Sequence, residues 1–358
     1  MRACGKAGSP ARTCVWVRER LVARAAIAVL AFGGNALIPH DQTGTHREQI
    51  RMARKAARSV IGLVREGFRV LVVHGNGPQV GRELLRNEET STKIPPHPLD
   101  MCVASTQGTM GYLLDLEVRN ELRRLQMTWP VSTVLTYTLV GLDDPAFQEP
   151  TKPIGPFLSE WRARSLMKSG EMHMVEDAGR GWRRVVPSPR PCEIVNMDSI
   201  EALLDAGHVV FAAGGGGIPV AVDARGQLIG VEAVVDKDRT AALLANDLEA
   251  ELLVLLTGVE QVYLNFGRTD QRALERISAG DLRELYRAGH FPPGSMGPKV
   301  EATLEFIEDG GTNAIITNAD KFTAALAGRA GTRVTKVVDD GPIIRQISLF
   351  PSASGAEE

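Results

Sequence analysis

The sequence predicts an α/β protein in which a mainly parallel sheet carries helices on both faces. Apolar runs of strand length alternate with segments of helical period, first over residues 27–85 and again over 252–317. Two of the early apolar runs end in glycine turns, at Gly33 and at Gly75. Because ligands bind beyond the carboxyl ends of the strands in such sheets, these turns mark the predicted site.

Composition excludes several functional classes. The chain has 358 residues, 44% of them hydrophobic, and a formal net charge of -2. That charge gives no indication of nucleic-acid or membrane binding. The four cysteines form no C-x-x-C pair, which favours a reducing cytoplasm and argues against structural zinc. We therefore expect a cytoplasmic protein that acts on small molecules.

The N-terminal region is predicted to be an extension followed by the first strand. Arginines precede the apolar run 25–32, a pattern that resembles a signal peptide. The run is short for a membrane span and leads directly into Gly33-Gly34-Asn35, so we interpret it as a strand and a loop. Residues 1–24 carry no motif of their own, and we expect their deletion to leave fold and activity intact.

The first half of the chain is predicted to begin β-loop-α-β-loop-α. Residues 27–32 and 70–73 are the strands, and a capping box at residues 45–48 begins the first helix. A helix over residues 105–125 and a strand over residues 131–140 follow.

Residues 141–191 differ from the rest because they are rich in proline and charge. Such a segment is poorly suited to a buried parallel sheet, so we interpret it as an insertion that projects from the main body.

The stretch 209–246 is the centre of the predicted site. A strand at 209–213 runs into four glycines, Gly214 to Gly217, and a second apolar run, interpreted as a strand, ends in Asp236-Lys237-Asp238. A helix follows, for which Asp238 is the predicted N-cap. Glycine backbone N–H groups beside a lysine at a helix N-terminus suit a phosphate ligand.

The second half is again predicted to be α/β. We expect strands at 252–257 and 314–317 and helices beginning at 278–281 and at 300. The tail from residue 341 shows little pattern.

The motifs favour phosphoryl transfer. The sequence contains neither a P-loop, G-x-x-x-x-G-K-[ST], nor a G-x-S-x-G elbow. It does contain three glycine-rich loops after strands and three lysines in polar or glycine-rich contexts, Lys152, Lys237 and Lys299. Positioning and charge neutralisation carry most of the catalysis in phosphoryl transfer. No general base stands out, and His74 is interpreted as a packed histidine, which favours an acceptor that is already an anion, such as a carboxylate or a carbamate.

Two other functions stay open at this point. One is a kinase of the same fold that phosphorylates an amino-acid carboxylate or a nucleoside monophosphate; the long insertion and the D-K-D motif argue against it. The other is a non-catalytic nucleotide-binding regulator; the retained lysines and Asp238 argue against that.

Nine segments, taken in order, resemble the carbamate kinases of the amino-acid kinase family. They are A-F-G-G-N-A-L (31–37), H-G-N-G-P-Q-V-G (74–81), T-Q-G-T-M-G-Y (106–112), T-K-P-I-G-P-F-L (151–158), E-D-A-G-R-G-W-R-R-V-V-P-S-P (176–189), G-G-G-G-I-P-V (214–220), G-V-E-A-V-V-D-K-D (230–238), L-T-G-V-E-Q-V-Y (256–263) and A-G-H-F-P-P-G-S-M-G-P-K (288–299). Each motif alone is weak, but the ordered set is specific.

The resemblance implies a three-layer αβα sandwich with two lobes and a homodimer. It implies an acceptor lobe at 25–222 that carries a protruding subdomain at about 141–191, a nucleotide lobe at 223–340 and a tail at 341–358. The implied reaction is reversible transfer between ATP and carbamate, giving ADP and carbamoyl phosphate. Mg²⁺ is expected to arrive on ATP or ADP, with no metal ligands from the protein. The implied context is arginine catabolism run towards ATP, whereas the residues themselves leave direction and pathway open.

The resemblance also implies roles for individual residues. The catalytic set is Lys152, Lys237 and Lys299, which neutralise charge, with Asp238 orienting lysines. The residues expected at the transferring phosphoryl and carbamoyl groups are Gly33, Gly34, Asn35, Gly75, Asn76, Gly77, Gly216 and Gly217. The residues expected beside the adenine nucleotide are Thr257, Val262, Tyr263, Ser295 and Met296.

One departure concerns the first strand. Other members of the superfamily carry a lysine two residues before the first glycine pair, where this chain has Ala31. We expect Lys152, reaching in from the insertion as part of a lid, to supply that counter-charge.

Overall fold

The computed structural model describes residues 25–33, 44–168, 173–177, 179, 181–292 and 295–338. The predicted extension at 1–24, the loop residues Gly34 and Asn35, and the tail at 341–358 lie outside the described residues. None of the described helices is long and apolar enough to cross a membrane.

The described residues form the following strands and helices. The strands are β1 (Ile27–Phe32), β2 (Arg69–His74), β3 (Val131–Thr133), β4 (Tyr137–Leu139), β5 (Lys152–Leu158), β6 (His173–Glu176), β7 (Trp182–Val186), β8 (Glu193–Ile194), β9 (Val209–Phe211), β10 (Ile218–Val222), β11 (Leu228–Gly230), β12 (Leu252–Leu256), β13 (Val262–Leu264), β14 (Arg272–Leu274), β15 (Arg276–Ser278), β16 (Asn313–Thr317) and β17 (Thr332–Thr335). The helices are α1 (His46–Arg65), α2 (Gly77–Thr90), α3 (Leu99–Arg124), α4 (Glu160–Lys168), α5 (Met197–Asp205), α6 (Lys237–Asp247), α7 (Ala279–Arg287), α8 (Met296–Glu308) and α9 (Phe322–Leu326).

An eight-stranded sheet forms the centre of the protein, in the order β15-β17-β16-β12-β1-β2-β9-β3. All its pairings are parallel except that of β16 with β17. The predicted mainly parallel α/β sheet is therefore confirmed. Strands before residue 212 form one half of the sheet, strands after residue 251 form the other, and β1 and β12 meet in the middle.

Strand β1 shows why the protein has three layers. All six of its residues are buried, as an apolar run in a central parallel strand predicts. Because side chains alternate across a strand, Val29 and Ala31 pack into a cluster with α6 and α8, whereas Leu30 and Phe32 pack into a second cluster with α1 and α3. Helices thus cover both faces of the sheet, which confirms the αβα sandwich.

The first helix begins as its sequence predicts. The Thr45 hydroxyl accepts from the backbone N–H of Glu48, and the Glu48 carboxylate accepts from the backbone N–H of Thr45 at 2.7 Å. This reciprocal capping box satisfies two of the N–H groups that a helix start leaves open.

The predicted strand at 131–140 is wrong in one respect, because it is two strands in different sheets. β3 lies in the central sheet, and β4 lies in a four-stranded sheet of order β11-β10-β4-β8. Between them, Thr136 leaves the sheet: its N–H donates to Gln107 Oε1 at 2.9 Å, and its carbonyl accepts from Gln107 Nε2 at 3.1 Å. The buried Gln107 amide thus satisfies both backbone groups of Thr136, whose carbonyl also accepts from Ile218 N at 2.8 Å, and makes the break stable.

The apolar run at 231–235 is also not the strand that was predicted. Its backbone makes isolated hydrogen bonds to other segments and forms no strand ladder, for example from Val231 N to Pro219 O of β10 at 3.1 Å and from Val234 N to Pro187 O at 3.0 Å. The run is apolar because it is buried in an irregular conformation. Burial alone makes such a loop resemble a strand in sequence.

The proline-rich insertion forms a sheet of its own. β5, β7 and β6 pair in antiparallel fashion, in the order β5-β7-β6. Ile154 of β5 and Val186 of β7 are buried in a small core with residues of α2 and α3. The insertion is thus an ordered unit attached to the helix that follows β2.

Candidate active site

A cleft of about 1430 Å³ lies at the carboxyl ends of the central strands. The N-termini of α2, α6 and α8 all border it, and together these helix ends form an environment that favours anions. The predicted site residues that line the cleft are Gly33, Gly75, Asn76, Gly77, Lys152, Lys237, Asp238, Thr257, Ser295 and Lys299.

Five other predicted residues with described positions are not among those lining the cleft: Gly216, Gly217, Val262, Tyr263 and Met296. Val262 is fully buried in the core, where its N–H donates to Thr332 Oγ1 at 2.8 Å. The neighbouring Gly215 does line the cleft. Gly34 and Asn35 lie outside the described residues.

Asp238 holds two of the three predicted lysines. Its Oδ2 atom accepts from Lys237 Nζ at 2.7 Å and from Lys299 Nζ at 2.9 Å. The Asp238 side chain is only 3% exposed, so these charge-assisted bonds lie away from bulk water. Lys237 at the start of α6 and Lys299 in the first turn of α8 thereby share one carboxylate oxygen.

Asp236 holds the third lysine and is the N-cap of α6. Its Oδ2 atom accepts from Lys152 Nζ, and its Oδ1 atom accepts from the backbone N–H groups of Asp238 at 2.9 Å and Arg239 at 3.4 Å. The N-cap prediction of Asp238 is therefore wrong: Asp238 lies in the first turn, two residues after the cap. The cap belongs to Asp236 because its carboxylate reaches the N–H groups two and three residues later.

The two buried carboxylates stay ionised although burial opposes their charge. Burial alone would raise the pKa of each, but the positive charges of the neighbouring lysines hold both below the ordinary aspartate value. Lys152, Lys237 and Lys299 act on Asp236, and Lys237 and Lys299 act on Asp238.

The pKa values of the two lysines on Asp238 shift in opposite directions. Burial lowers the pKa of Lys237 to about 8, with Lys299 adding repulsion and Asp238 opposing the shift. For Lys299, burial is again the largest influence, but the charge and hydrogen bond of Asp238 outweigh it and raise the pKa. The two lysines share one acceptor and therefore titrate as a pair. Because the pKa of Lys237 is the lower of the two, we take Lys237 as the member that loses its proton first.

Close contacts require glycine in the four-glycine loop, Gly214 to Gly217. A Cβ on Gly215 would lie 2.2 Å from Asn76 Nδ2, and one on Gly216 would lie 2.4 Å from the carbonyl oxygen of Val235. Both glycines have φ values in the left-handed region, 72° and 93°. The loop thus packs directly on the Asn76 turn and on the segment that leads to Asp236.

The glycine turn after β2, at residues 75–77, is held in place by hydrogen bonds between buried polar groups. Asn76 Nδ2 donates to Thr106 Oγ1 at 2.9 Å, while the Thr106 hydroxyl donates to Val103 O at 2.7 Å. Burial lowers the pKa of the adjacent His74 to about 4, so this ring is neutral at physiological pH. As predicted, His74 is a packed histidine and is not a cleft-lining base.

Some cleft residues were not singled out from sequence. Arg183 of β7 pairs with Asp177 at 3.1 Å, and Arg239 of α6 donates to Glu301 of α8 at 2.8 Å. Asp236 was noted only as part of the D-K-D motif. Asp236 stands immediately before the first helical residue, and aspartate is a preferred N-cap residue, so the residue-type signal was present for Asp236 as it was for Asp238.

The hydrogen-bond donors at the site suit a phosphate ligand that brings its own metal ion. The described residues contain no group of three or more His, Cys, Asp and Glu side chains placed to hold a metal ion. Asp236 and Asp238 are already bound by lysines, although Asp238 Oδ1 is buried without a hydrogen-bond partner. Three ammonium groups and three helix N-termini match phosphate oxygens, which themselves bind Mg²⁺ well.

Comparisons with known proteins agree with this geometry. The sequence matches the profile of the amino acid kinase family over residues 26–318. A carbamate kinase from Thermococcus kodakarensis is 43% identical over 311 residues, which cover 86% of this chain and 98% of that protein. The structure of carbamate kinase from Giardia lamblia bound to citric acid matches with a TM-score of 0.83 at 38% identity, over 87% of this chain and 99% of that one. The Giardia lamblia carbamate kinase bound to AMP-PNP matches with a TM-score of 0.80 at the same identity and coverage. The chain therefore belongs to the amino acid kinase family, and within it to the carbamate kinases.

Proposed function

We propose that the protein is a kinase that catalyses reversible phosphoryl transfer between ATP and carbamate, giving ADP and carbamoyl phosphate. The observation that carries this proposal is the cluster of three lysines on two buried aspartates, which leaves one net positive charge at three helix N-termini. The close similarity to named carbamate kinases supports the choice of acceptor.

The proposed chemistry needs no general base. In the direction of ATP synthesis, a terminal oxygen of ADP attacks the phosphorus of carbamoyl phosphate. The bond from phosphorus to the carbamate oxygen breaks, and its electron pair stays on carbamate. Nucleophile and leaving group are both anions, so no proton has to move. A cleft that offers lysines, with the nearby His74 neutral, buried and outside the cleft lining, suits such a step.

The lysines act on the charge of the transferring group. Lys237 and Lys299 are fixed by Asp238, and Lys152 is fixed by Asp236, so their ammonium groups are oriented before the ligand arrives. Preorganised donors of this kind stabilise a transition state without reorganising during the reaction. In this proposal the acceptor lies beside Gly33, Asn76 and Gly77, and Gly34 and Asn35 keep their predicted role as acceptor-binding residues.

The nucleotide is proposed to bind on the side of the cleft formed by residues after 223. Thr257 and Ser295 line the cleft there, together with the apolar side chains of Leu256 and Phe291. Val262, Tyr263 and Met296 would lie behind this wall. Mg²⁺ enters as part of the nucleotide substrate, where it neutralises phosphate charge. We propose 25–222 as the acceptor lobe and 223–340 as the nucleotide lobe.

We further propose a cytoplasmic homodimer that works towards ATP in arginine catabolism. One face of α3 exposes Met101, Tyr112 and Leu116, which follow one another at helical spacing. The nearby Leu135 and Tyr137 are exposed as well. An exposed apolar patch of this kind is typical of a subunit interface.

A coupled assay tests the function. Purified protein with ADP, Mg²⁺ and carbamoyl phosphate should form ATP, detected through hexokinase and glucose-6-phosphate dehydrogenase. Lys299→Met should reduce the rate by at least about a hundredfold, the scale for one preorganised donor. Lys168→Met is the matched control, because Lys168 is exposed at the end of α4.

The same assay separates the alternatives. A kinase for another acceptor would form no ATP from carbamoyl phosphate but would consume ATP with acetylglutamate or UMP. A non-catalytic regulator would bind ADP or ATP in calorimetry and turn over none of these acceptors. Either result would overturn the proposal.

A further inference from the structure

Two glycines from different motifs meet where the insertion joins the main body. A Cβ added to Gly81 of α2 would lie 1.9 Å from the Cα of Gly155 in β5 and 2.1 Å from its nitrogen. Real Cβ atoms do not approach backbone this closely. Helix α2 and strand β5 are therefore in direct backbone contact at this point.

The contact connects two elements that contribute residues to the cleft, α2 and β5. Helix α2 begins at Gly77, directly after Asn76, and Gly81 lies one turn further along. Strand β5 begins at Lys152, three residues before Gly155. The position of Lys152 relative to the Asn76 turn is thus determined across one helical turn and half a short strand.

Gly155 has a conformation that serves this contact. Its φ of +75° lies in the left-handed region, and the pairing of β5 with β7 shifts register between Ile154 and Leu158. Arg183 Nε donates to Gly155 O at 3.1 Å, and the Arg183 guanidinium lies 5.2 Å from the ring centre of Phe157. The bulge is therefore held by Arg183 of β7 in addition to its contact with α2.

We propose that the Gly81–Gly155 contact is a positioning element for the reaction, which sets how close the Lys152 ammonium comes to the Asn76 turn. The proposal rests on the proposed function, in which Lys152 neutralises charge on the transferring phosphoryl group. The ion pair with Asp236 determines where Lys152 points, whereas the glycine contact determines the position of the strand that carries it.

The geometry predicts the size of the effect. In Gly81→Ala, β5 has to retreat by about 1.5 Å, the difference between an ordinary contact at 3.4 Å and the 1.9 Å available. A misplacement of about 1 Å at a reacting group can reduce the rate by about a hundredfold. We expect kcat to fall by that factor, and the Kd for ADP to stay within about threefold because Lys237 and Lys299 lie on other elements.

A double-mutant cycle tests whether Gly81 acts through Lys152. The kcat loss from Gly81→Ala should shrink to less than about threefold in a Lys152→Ala background, because the displaced group is already absent. Gly280→Ala is the matched control: Gly280 lies in α7, and its Cβ would meet only Ser278 Oγ at 3.8 Å. A hundredfold loss that persists without Lys152 would overturn the proposal, and so would a kcat for Gly81→Ala within about threefold of the parent.

A second pair of variants keeps the test decisive if Gly81→Ala does not fold. Gly155→Asn and Gly155→Val add side chains of similar size, but asparagine adopts left-handed φ far more readily than a β-branched residue. The Asn variant should retain at least tenfold more kcat than the Val variant, and a Lys152→Ala background should remove that difference. Equal loss in both Gly155 variants would overturn the proposal.

Hydrogen exchange provides a readout that does not depend on turnover. The backbone amides of the non-proline residues within 152–158 should exchange faster in Gly81→Ala than in the parent or in Gly280→Ala. If the parent protein forms no ATP, the proposed function fails, and the exchange of β5 still decides whether the glycine contact holds this strand. Unchanged exchange of β5 in a folded Gly81→Ala variant would overturn the positioning role.

Discussion

Replacing Asp238 with asparagine should reduce turnover far more than nucleotide affinity. The carboxylate is 3% exposed, and its Oδ2 atom binds Lys237 at 2.7 Å and Lys299 at 2.9 Å. Asparagine keeps the shape but loses the charge, so two buried ammonium groups lose their shared counter-ion. Breaking a buried ion pair in this way costs about 3–5 kcal/mol. Part of that cost appears as lost stability, and part as lysines that no longer hold their positions.

The expected kinetic change follows from those positions. One misplaced preorganised donor reduces kcat by about a hundredfold to a thousandfold, or about 2.7–4 kcal/mol of barrier. Affinity for ADP should not be weakened to the same extent, because removing one negative charge makes the cluster more attractive to an anion and offsets the loss of lysine positioning. The coupled assay gives kcat, and calorimetry with ADP and Mg²⁺ gives Kd. Asp205→Asn is the control, since Asp205 forms an ion pair with Arg69 but is 68% exposed.

The same variant should change the pH profile. Asp238 raises the pKa of Lys237 and opposes the lowering by burial. Without that charge the pKa of Lys237 falls below about 8, so the alkaline decline of kcat/KM should begin at lower pH than in the parent. An Asp238→Asn enzyme with unchanged kcat and poor ADP binding would refute the reasoning. An alkaline limb that stays in place would refute the assignment to Lys237.

Three further predictions follow from the cluster and the glycine loop. In the parent enzyme, kcat/KM should fall as pH rises through about 8, where Lys237 loses its proton. ADP binding at pH 8 should take up protons, which calorimetry in buffers of different ionisation enthalpy measures. Binding that is independent of pH and takes up no protons would contradict this. Lys152→Ala should reduce kcat by about a hundredfold while the Kd for ADP stays within about threefold, and a kcat within threefold of the parent would exclude Lys152 from the chemistry. Gly216→Ala should lower the free energy of unfolding by more than about 2 kcal/mol in denaturant titrations, because its Cβ would lie 2.4 Å from Val235 O. Gly226→Ala is the control, since Gly226 is also at positive φ but in open space, and it should lower the free energy of unfolding by only about 1–2 kcal/mol. Equal losses in the two variants would show that the contact with Val235 is unimportant.

The parts of the fold that could be predicted are those set by local pattern. Residues 27–32 form a fully buried strand because a central parallel strand is apolar on both faces. The capping box at Thr45 and the N-cap at Ser278 begin α1 and α7 as predicted, since the groups that satisfy each helix end lie within three residues. The placement of the site at the strand ends follows from the parallel order of the sheet.

The predictions of secondary structure and capping are wrong where contacts with residues distant in sequence determine the local structure. The strand at 131–140 breaks because Gln107, on another element, binds both backbone groups of Thr136. The run 231–235 is apolar without being a strand, and periodicity cannot separate a buried loop from a buried strand. In D-K-D either aspartate fits an N-cap by residue type, and only the actual start of α6 selects Asp236.

The three lysines show a different limit of sequence reasoning. Their residue type and context favoured charge neutralisation, but nothing local indicated which carboxylate would hold each one. Lys152 was expected to reach in from a lid, whereas in the structure it already binds Asp236 from the first residue of β5. Ala31, noted as the position where other members of the superfamily carry a lysine, is fully buried in an apolar cluster. A lysine there would lie among alanines and leucines, so Lys152 is the better placed cation in this chain.

The arrangement of the two aspartates explains how three like charges can share one cleft. Lysines brought together in a buried site repel one another, and burial already lowers the pKa of Lys237 to about 8. A single carboxylate holding all three would leave its lysines close together and oriented alike. Here Asp236 takes Lys152 and Asp238 takes the other two, while the N-cap bonds of Asp236 fix both carboxylates to the start of the same helix. The helix N-terminus adds its own positive potential, so the net effect is a concave site that is stable with its carboxylates ionised and still attracts a phosphate group.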